Sequence, residues 1–243
     1  MAPWRLTIFD TLDSTSEFCR ARAEQGEAEG LAVMARLQER GRGSHGRQWV
    51  SIPGNLFLSV LLRPNGRARD GGLWSLLAGV AAAEAVEGLL PDRATLTLKW
   101  PNDLLLSGRK LAGILIDSAA DSAGALEWLV IGVGMNLAAA PDVPGRETAC
   151  LATVAAPENV AELVLARLAH WRALQAEQGF APVREAWLAR AAPVGAPMIF
   201  TERSAECVRG SFAGLAEDGS LRLRTGGLLR EFAVGEVSLR AED

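Results

Sequence analysis

Gly41-Arg42-Gly43-Ser44-His45-Gly46-Arg47-Gln48-Trp49 is the stretch on which the reading of this chain turns. Its closely spaced glycines let the backbone turn sharply and come close to a bound group. Successive N–H groups in such a loop can form a concavity for an anion. Arg42 and Arg47 add fork-shaped donors that match phosphate or carboxylate oxygens, and Trp49 sets a flat apolar wall beside them. Taken alone, the stretch also reads as a solvated surface turn, so its meaning depends on what flanks it.

Upstream, Trp4 to Phe9 fits a short strand, Asp10 to Ser14 a turn and Thr15 to about Gln25 a helix. Ser14-Thr15-Ser16-Glu17 is either a capping box for that helix or a set of hydroxyls offered to a polar ligand at its start. Leu31 to Leu37 is a short apolar strand leading toward the loop. Downstream, Asn55 to Leu62 reads as a strand closed by Arg63-Pro64-Asn65-Gly66, and Leu73 to Leu90 as a buried Ala/Leu-rich helix stopped by Pro91-Asp92. Thr95–Trp100, Asn102–Leu106 and Leu111–Asp117 form a meander, followed by a strand at Trp128–Val133. Two helices are expected at about Pro157–Glu177 and Phe180–Ala191.

Beyond Ala192-Pro193-Val194-Gly195 the pattern changes to short strands at Met198–Phe200, Cys207–Phe212, Leu221–Arg224 and Leu228–Val234. Turns at Glu217–Ser220 and Thr225–Gly227 separate them. The expected architecture is α+β: a mixed sheet with flanking helices over residues 1–192, then a small β-barrel over 193–243.

Three further groups carry chemistry. In Lys99-Trp100-Pro101-Asn102-Asp103, an Asp beside a Lys at a strand end could hold Mg²⁺ near a nucleotide phosphate, or simply belong to a turn. Lys110, at the mouth of the apolar strand that follows, could aim a partly desolvated ammonium into a cleft, or protect a strand edge. Gly132, Gly134 and Asn136 combine room for close approach with a side chain that can read a base edge; a bulge explains them equally.

The bulk numbers exclude several classes. Of 243 residues, 49% are apolar and 22% charged, as in an ordinary soluble globular protein. A net charge of −4 supplies no general basic field for nucleic acid. Cys19, Cys150 and Cys207 match neither a zinc set nor a disulfide framework, which points to a reducing, cytoplasmic setting. The opening residues lack an apolar signal core, and no apolar run reaches membrane-spanning length. His45 and His170 sit in no Ser/His/Asp or Cys/His arrangement, and the P-loop and G-x-G-x-x-G motifs are absent.

In this order, Phe9 to Ser16, the Gly/Arg loop, Lys99 to Asp103, Lys110 to Ile116 and Gly132 to Asn136 resemble the biotin protein ligase family, as does the closing Phe232 to Arg240. The resemblance covers nearly the whole chain. It implies a catalytic domain like that of class II aminoacyl-tRNA synthetases followed by an SH3-like barrel. The implied reaction joins biotin to ATP as biotinyl-AMP, then moves biotin to a lysine of a biotin carboxyl carrier domain of acetyl-CoA carboxylase or a related carboxylase. Biotin, ATP and Mg²⁺ are the implied small molecules, with no nucleic-acid or membrane partner. A DNA-binding domain ahead of the ligase is not expected, because the ligase-like strand begins at Trp4. The family contains monomers and dimers, so a homodimer stays open.

By the same resemblance, Ser14, Thr15 and Gln38 are contacts to the biotin ureido ring. Ser16, Gly41, Arg42, Gly43, Ser44, Trp49, Lys110, Gly113 and Gly132 complete the biotin site. Arg47, Asn102, Asp103, Lys110 and Asn136 are implied for the nucleotide, Asp103 also for Mg²⁺, and Lys110, Arg42 and Arg47 for catalysis. Two positions depart from the family: Ser16 replaces Asn, and Ser44 replaces the Arg of Gly-Arg-Gly-Arg. The rival readings are a lipoate or octanoate protein ligase of the same fold and a non-catalytic biotin-binding relative.

Overall fold

The computed structural model describes residues 4–90, 96–152, 155–202 and 207–239. Pro91-Asp92, Thr95 and Arg240, used in the reading above, lie outside them. The chain runs β1 (Arg5–Leu12), α1 (Thr15–Glu24), β2 (Leu31–Gln38), β3 (Leu56–Leu62), α2 (Gly71–Glu87), β4 (Leu96–Lys99), β5 (Asp103–Leu106), β6 (Arg109–Ala120) and β7 (Leu126–Met135). Helices α3 (Pro157–Gln178) and α4 (Ala181–Leu188) follow, then β8 (Pro197–Thr201), β9 (Cys207–Leu215), β10 (Leu221–Thr225), β11 (Leu228–Phe232) and β12 (Glu236–Leu239).

The first seven strands form one mixed sheet in the order β1-β2-β3-β7-β6-β5-β4. Only the β1–β2 pair is parallel, joined across α1. Central β3, Leu-Phe-Leu-Ser-Val-Leu-Leu, is buried along its whole length, as expected of a strand covered on both faces. Alternation then assigns the faces. Ala32, Met34, Val60 and Ile131 join the main core under α2 and α3, whereas Val33, Leu61 and Val130 pack with Cys19 and Ala23 of α1. Ser59 shares its face with Leu61, and Gly132 and Gly134 share theirs with Val130. The α1 side of the sheet therefore receives the strand residues singled out above.

Several boundaries differ from expectation. Strand β1 continues to Leu12, through residues read as a turn, because its backbone stays paired with β2 as far as Leu12↔Gln38. Strand β6 runs past Asp117 to Ala120 while β7 remains opposite it. Helix α4 stops at Leu188, and the Arg190 carbonyl accepts from the Leu98 N–H at 2.8 Å. Residues Ser44–Gly46, read as loop, make a short 3₁₀ turn. None of the described helices is long and apolar enough to cross a membrane.

The last five strands form an antiparallel sheet in the order β11-β10-β9-β8-β12. It is an open sheet rather than a closed barrel: among the described residues its end strands β11 and β12 do not pair. Phe200, Phe212, Leu221, Leu223 and Val237 point from it into the main core. Gly235, just before β12, is held so close to Phe200 that a Cβ there would overlap the ring. Gly235→Ala is therefore expected to destabilise the protein by about 1–3 kcal/mol, the usual range for overpacking. Chemical denaturation measures this, and an unchanged midpoint would contradict it.

Candidate active site

Ser14 caps α1, its hydroxyl accepting from the Glu17 N–H at 3.5 Å. The Glu17 carboxylate turns instead toward Arg20 and Arg42, so the returning half of the capping box does not form. The Thr15 N–H and hydroxyl both donate to Gln38 Oε1, at 2.8 and 3.1 Å. The Thr15 hydroxyl also lies 2.8 Å from that of Ser59, and those of Ser14 and Ser16 are 3.1 Å apart. All five of these residues are buried, so they form a polar network fixed by packing at the end of α1. They line a cavity together with Gly132, Gly134 and Trp49.

Trp49 forms one wall of this cavity. Gly113 and Gly134 face each other across β6 and β7, and together they leave a trough for the indole. A Cβ on Gly134 would lie 2.6 Å from Trp49 Cε2, and one on Gly113 would lie 2.9 Å from Cζ3. Gly113 lines the cavity, and Trp49 and the Lys110 side chain approach it closely. The indole Nε1 is buried and has no hydrogen-bond partner among the described residues.

Lys110 stands at the mouth. Its Nζ donates to Asp103 and lies 5.6 Å from the centre of the Trp49 ring. Lys99 Nζ reaches the other Asp103 oxygen at 3.0 Å. Burial works against the Asp103 carboxylate, but the two ammonium groups outweigh it and hold its pKa below the ordinary value. Burial also lowers the proton affinity of Lys110, and Asp103 opposes that. A carboxylate already shared by two lysines is a poor metal ligand. Among the described residues no group of three His, Cys, Asp or Glu could hold a metal ion. Asp103, expected at Mg²⁺, is engaged here by both lysines.

Both loop arginines are held by carboxylates. Arg42 makes a two-pronged pair with Asp117 of β6, at 2.9 and 3.2 Å, and reaches Glu17 at 3.2 Å. Arg47 binds Glu236 of β12 through both terminal nitrogens, and its Nη2 and Nε reach the Ser44 hydroxyl and carbonyl at 3.0 and 3.2 Å. Gly43 closes the loop through its N–H to the Arg47 carbonyl at 2.8 Å. Gly41 is needed for packing, since a Cβ there would lie 2.5 Å from the Trp49 carbonyl oxygen. Gly132 lines the cavity as expected.

A second cavity adjoins the first and shares Ser44, Asn102 and Lys110 with it. It also contains Arg47, Lys99, Asp103, Arg146 and Glu236. Asn102 borders both cavities, its amide donating to the Ile114 carbonyl at 2.7 Å. Asn136, expected on the nucleotide, lines neither. It is 1% exposed, and its amide donates to the Ala149 carbonyl at 3.0 Å. With Asn55, whose Oδ1 accepts from the N–H groups of Leu137, Ala138 and Ala139, it anchors the loop that follows β7.

Ser59, Asp117, Arg146 and Glu236 were not among the expected site residues. Ser59 alone left a trace in the sequence, as a lone hydroxyl within an otherwise apolar strand.

The sequence profile of the biotin/lipoate A/B protein ligase family matches residues 8–136. A biotin–[acetyl-CoA-carboxylase] ligase of Paracoccus denitrificans is 39% identical over 201 residues, covering 79% of this chain and 83% of the relative. The bifunctional ligase/repressor BirA of Escherichia coli K12 is 31% identical over 246 residues, covering 98% of this chain and 75% of that protein. The solved biotin protein ligase from Aquifex aeolicus in complex with biotin and ATP superposes with a TM-score of 0.80 at 25% identity, covering 98% of this chain and 99% of that one. The family profile runs from within β1 past the end of β7, and the chain belongs to the biotin/lipoate A/B protein ligase family.

Proposed function

We infer that this chain is an ATP-dependent ligase that forms biotinyl-5′-AMP and transfers biotin to a lysine of the acetyl-CoA carboxylase carrier. The observation that carries this reading is the junction of the two cavities at Lys110. A pocket with a hydroxyl and amide end lies on one side, and a cleft rich in cations on the other. That suits a small acid placed with its carboxylate beside a nucleotide phosphate.

A biotin carboxylate is already ionised at neutral pH, so it needs no general base. It attacks the α-phosphorus, a new P–O bond forms, the bond to the β-phosphate breaks, and pyrophosphate leaves. In the second step a carrier lysine amine attacks the activated carbonyl. The C–O bond to AMP breaks and the amine loses a proton. The protein's contribution is positioning and cations placed where negative charge builds up. Ser14, Thr15, Ser16, Gln38 and Trp49 hold biotin, Lys110 bridges its carboxylate and the α-phosphate, and Arg42 and Arg47 leave their carboxylate partners to close over the ligands. Asn102, at the border of the cavities, faces the nucleotide. Any Mg²⁺ used comes on the phosphates of ATP, which commonly carry it with few protein ligands. We also propose a catalytic domain over residues 1–192, a small β domain over 193–243, and a cytoplasmic setting supported by the wide cysteine spacing.

Biotin- and ATP-dependent labelling of a carrier domain tests the reading, with lipoate as the competing acid. Labelling by lipoate in preference to biotin would move the chain to the lipoate branch of its family. Ser44 adds a narrower expectation. It borders both cavities where an arginine was expected, and its hydroxyl only holds Arg47. Ser44→Arg is expected to slow biotinyl-AMP dissociation about tenfold, the worth of one charge-assisted hydrogen bond. A single-turnover chase reads this rate, and an unchanged or faster release sinks the expectation.

A further inference from the structure

Lys110 faces the cavities because β6 is irregular near its start. Side chains alternate along a strand, and Ala112 and Ile114 belong to the main core. Strict alternation would send Lys110 there too. In the pairing with β5, Leu104 lies opposite Ala112 and Leu105 opposite Lys110, so Leu111 has no partner on β5 and forms a bulge. The bulge puts Leu111 in the core and leaves Lys110 on the side of Gly113, bordering both cavities. A bulge interrupts the ladder of backbone bonds, and here the segment after β7 replaces it. The Lys110 N–H donates to the Glu147 carbonyl, the Lys110 carbonyl accepts from the Ala149 N–H, and the Leu111 carbonyl accepts from the Asn136 N–H, each at 2.9 Å.

That segment is fastened at its start by Asn55, which is 1% exposed and directly precedes β3. Asn55 Oδ1 accepts from the N–H groups of Leu137, Ala138 and Ala139 at 3.0, 3.0 and 3.2 Å, and Nδ2 donates to the Ala139 carbonyl at 2.8 Å. Nδ2 also lies 3.5 Å from Asn136 Oδ1, which leaves the Asn136 amide nitrogen directed at the Ala149 carbonyl, 3.0 Å away. Farther along, the Thr148 hydroxyl donates to the Pro141 carbonyl at 2.6 Å. We propose that Asn55 is a positioning residue for the reaction: by pinning residues 137–139 it holds the segment that fixes the bulge, and the bulge aims the Lys110 ammonium. This rests on the ligase reading above. Asn55 lines neither cavity, so it acts on the substrates through Lys110. Three successive N–H groups form a concavity for one oxygen, and a buried N–H left without an acceptor is costly. A displacement of about 1 Å at a reacting group can cost about a hundredfold in rate, so a loosened bulge is read in the chemical step.

The test measures biotin-dependent ATP/pyrophosphate exchange and biotin affinity of the full chain in Asn55→Ala, in Lys110→Met and in the two combined. Asn55→Ala is expected to lower the exchange kcat about tenfold or more, while the biotin dissociation constant stays within about twofold. In the Lys110→Met background the same change costs less than about twofold, because no ammonium is left to misplace. Thr148→Val loosens the same segment without touching β3. It gives a smaller fall in kcat with the same dependence on Lys110, and it carries the test if Asn55→Ala does not fold. Amide hydrogen exchange at Lys110 and Ala149 rises in both variants, whatever acid the protein activates. Equal losses in the two backgrounds overturn the proposal, as do an unchanged kcat, a biotin dissociation constant that rises as far as kcat falls, or unchanged hydrogen exchange at Lys110 and Ala149. Failure of the ligase reading is seen separately, as wild-type protein with no biotin-dependent exchange, and the hydrogen exchange then still decides whether Asn55 holds Lys110.

Discussion

Lys110→Met is expected to lower biotin-dependent ATP/pyrophosphate exchange by about 10²–10³-fold, the usual cost of removing one preorganised charge from a developing anion. The ammonium borders both cavities, with Asp103 on one side and the Trp49 ring on the other. A methionine keeps the length and the packing against the indole but removes the charge. Asp103 keeps Lys99 as its partner at 3.0 Å, so no carboxylate is left bare. The stability of the fold should therefore hold, and the loss should appear in the chemical step. A fall of less than about tenfold, equal to roughly 1.4 kcal/mol of barrier, would remove Lys110 from the centre of the mechanism.

The second large effect belongs to Gly134. Alanine there places a methyl group 2.6 Å from Trp49 Cε2 and 2.9 Å from Cζ2 and Nε1, inside van der Waals contact. The strand is central, with Gly134 paired in register to Phe57 of β3 and Gly113 of β6, so the indole must move rather than the backbone. The wall of the first cavity moves with it. Overpacking of this kind costs about 1–3 kcal/mol, so biotin dissociation constants are expected to rise about tenfold or more. Gly113→Ala should follow with a smaller effect, because its Cβ meets Trp49 at 2.9 Å and then the flexible end of Lys110 at 3.3 Å. Biotin titration of the two variants gives the ranking. Wild-type affinity in Gly134→Ala would show that the indole does not shape the pocket.

The strands and helices that could be read from sequence are those whose partners are dictated by a continuous apolar run. Strand β3 and helix α2 are examples: one is buried along its length and the other on nearly every residue. Element ends were less legible where backbone pairing overrides side-chain character, as at Asp10 and Thr11 of β1 and Ser118 of β6. The site shows the same division. Ser14, Thr15 and Gln38 converge because a helix start and the end of a parallel strand adjoin, which a local motif can signal. Asp117 and Glu236 lie 75 and 189 residues from the arginines they hold, and nothing local marks either. Asn136 was misplaced for the opposite reason. Its chemistry suited a base edge, but two buried backbone carbonyls claim its amide.

Trp100 joins the ligand-facing motif to the other end of the molecule. Between Lys99 and Asn102, which face the cleft, its indole is turned inward, with Nε1 donating to the Gly219 carbonyl at 3.0 Å and its ring 6.2 Å from that of Phe200. One five-residue stretch is thus both a lining of the catalytic cleft and a rivet through the floor into the five-stranded sheet. Slippage or partial melting of that sheet, by heat or truncation, reaches Lys99 and Asp103 through the Trp100 ring as well as through β12. Activity should therefore fade with the outer sheet, before the seven-stranded sheet itself gives way.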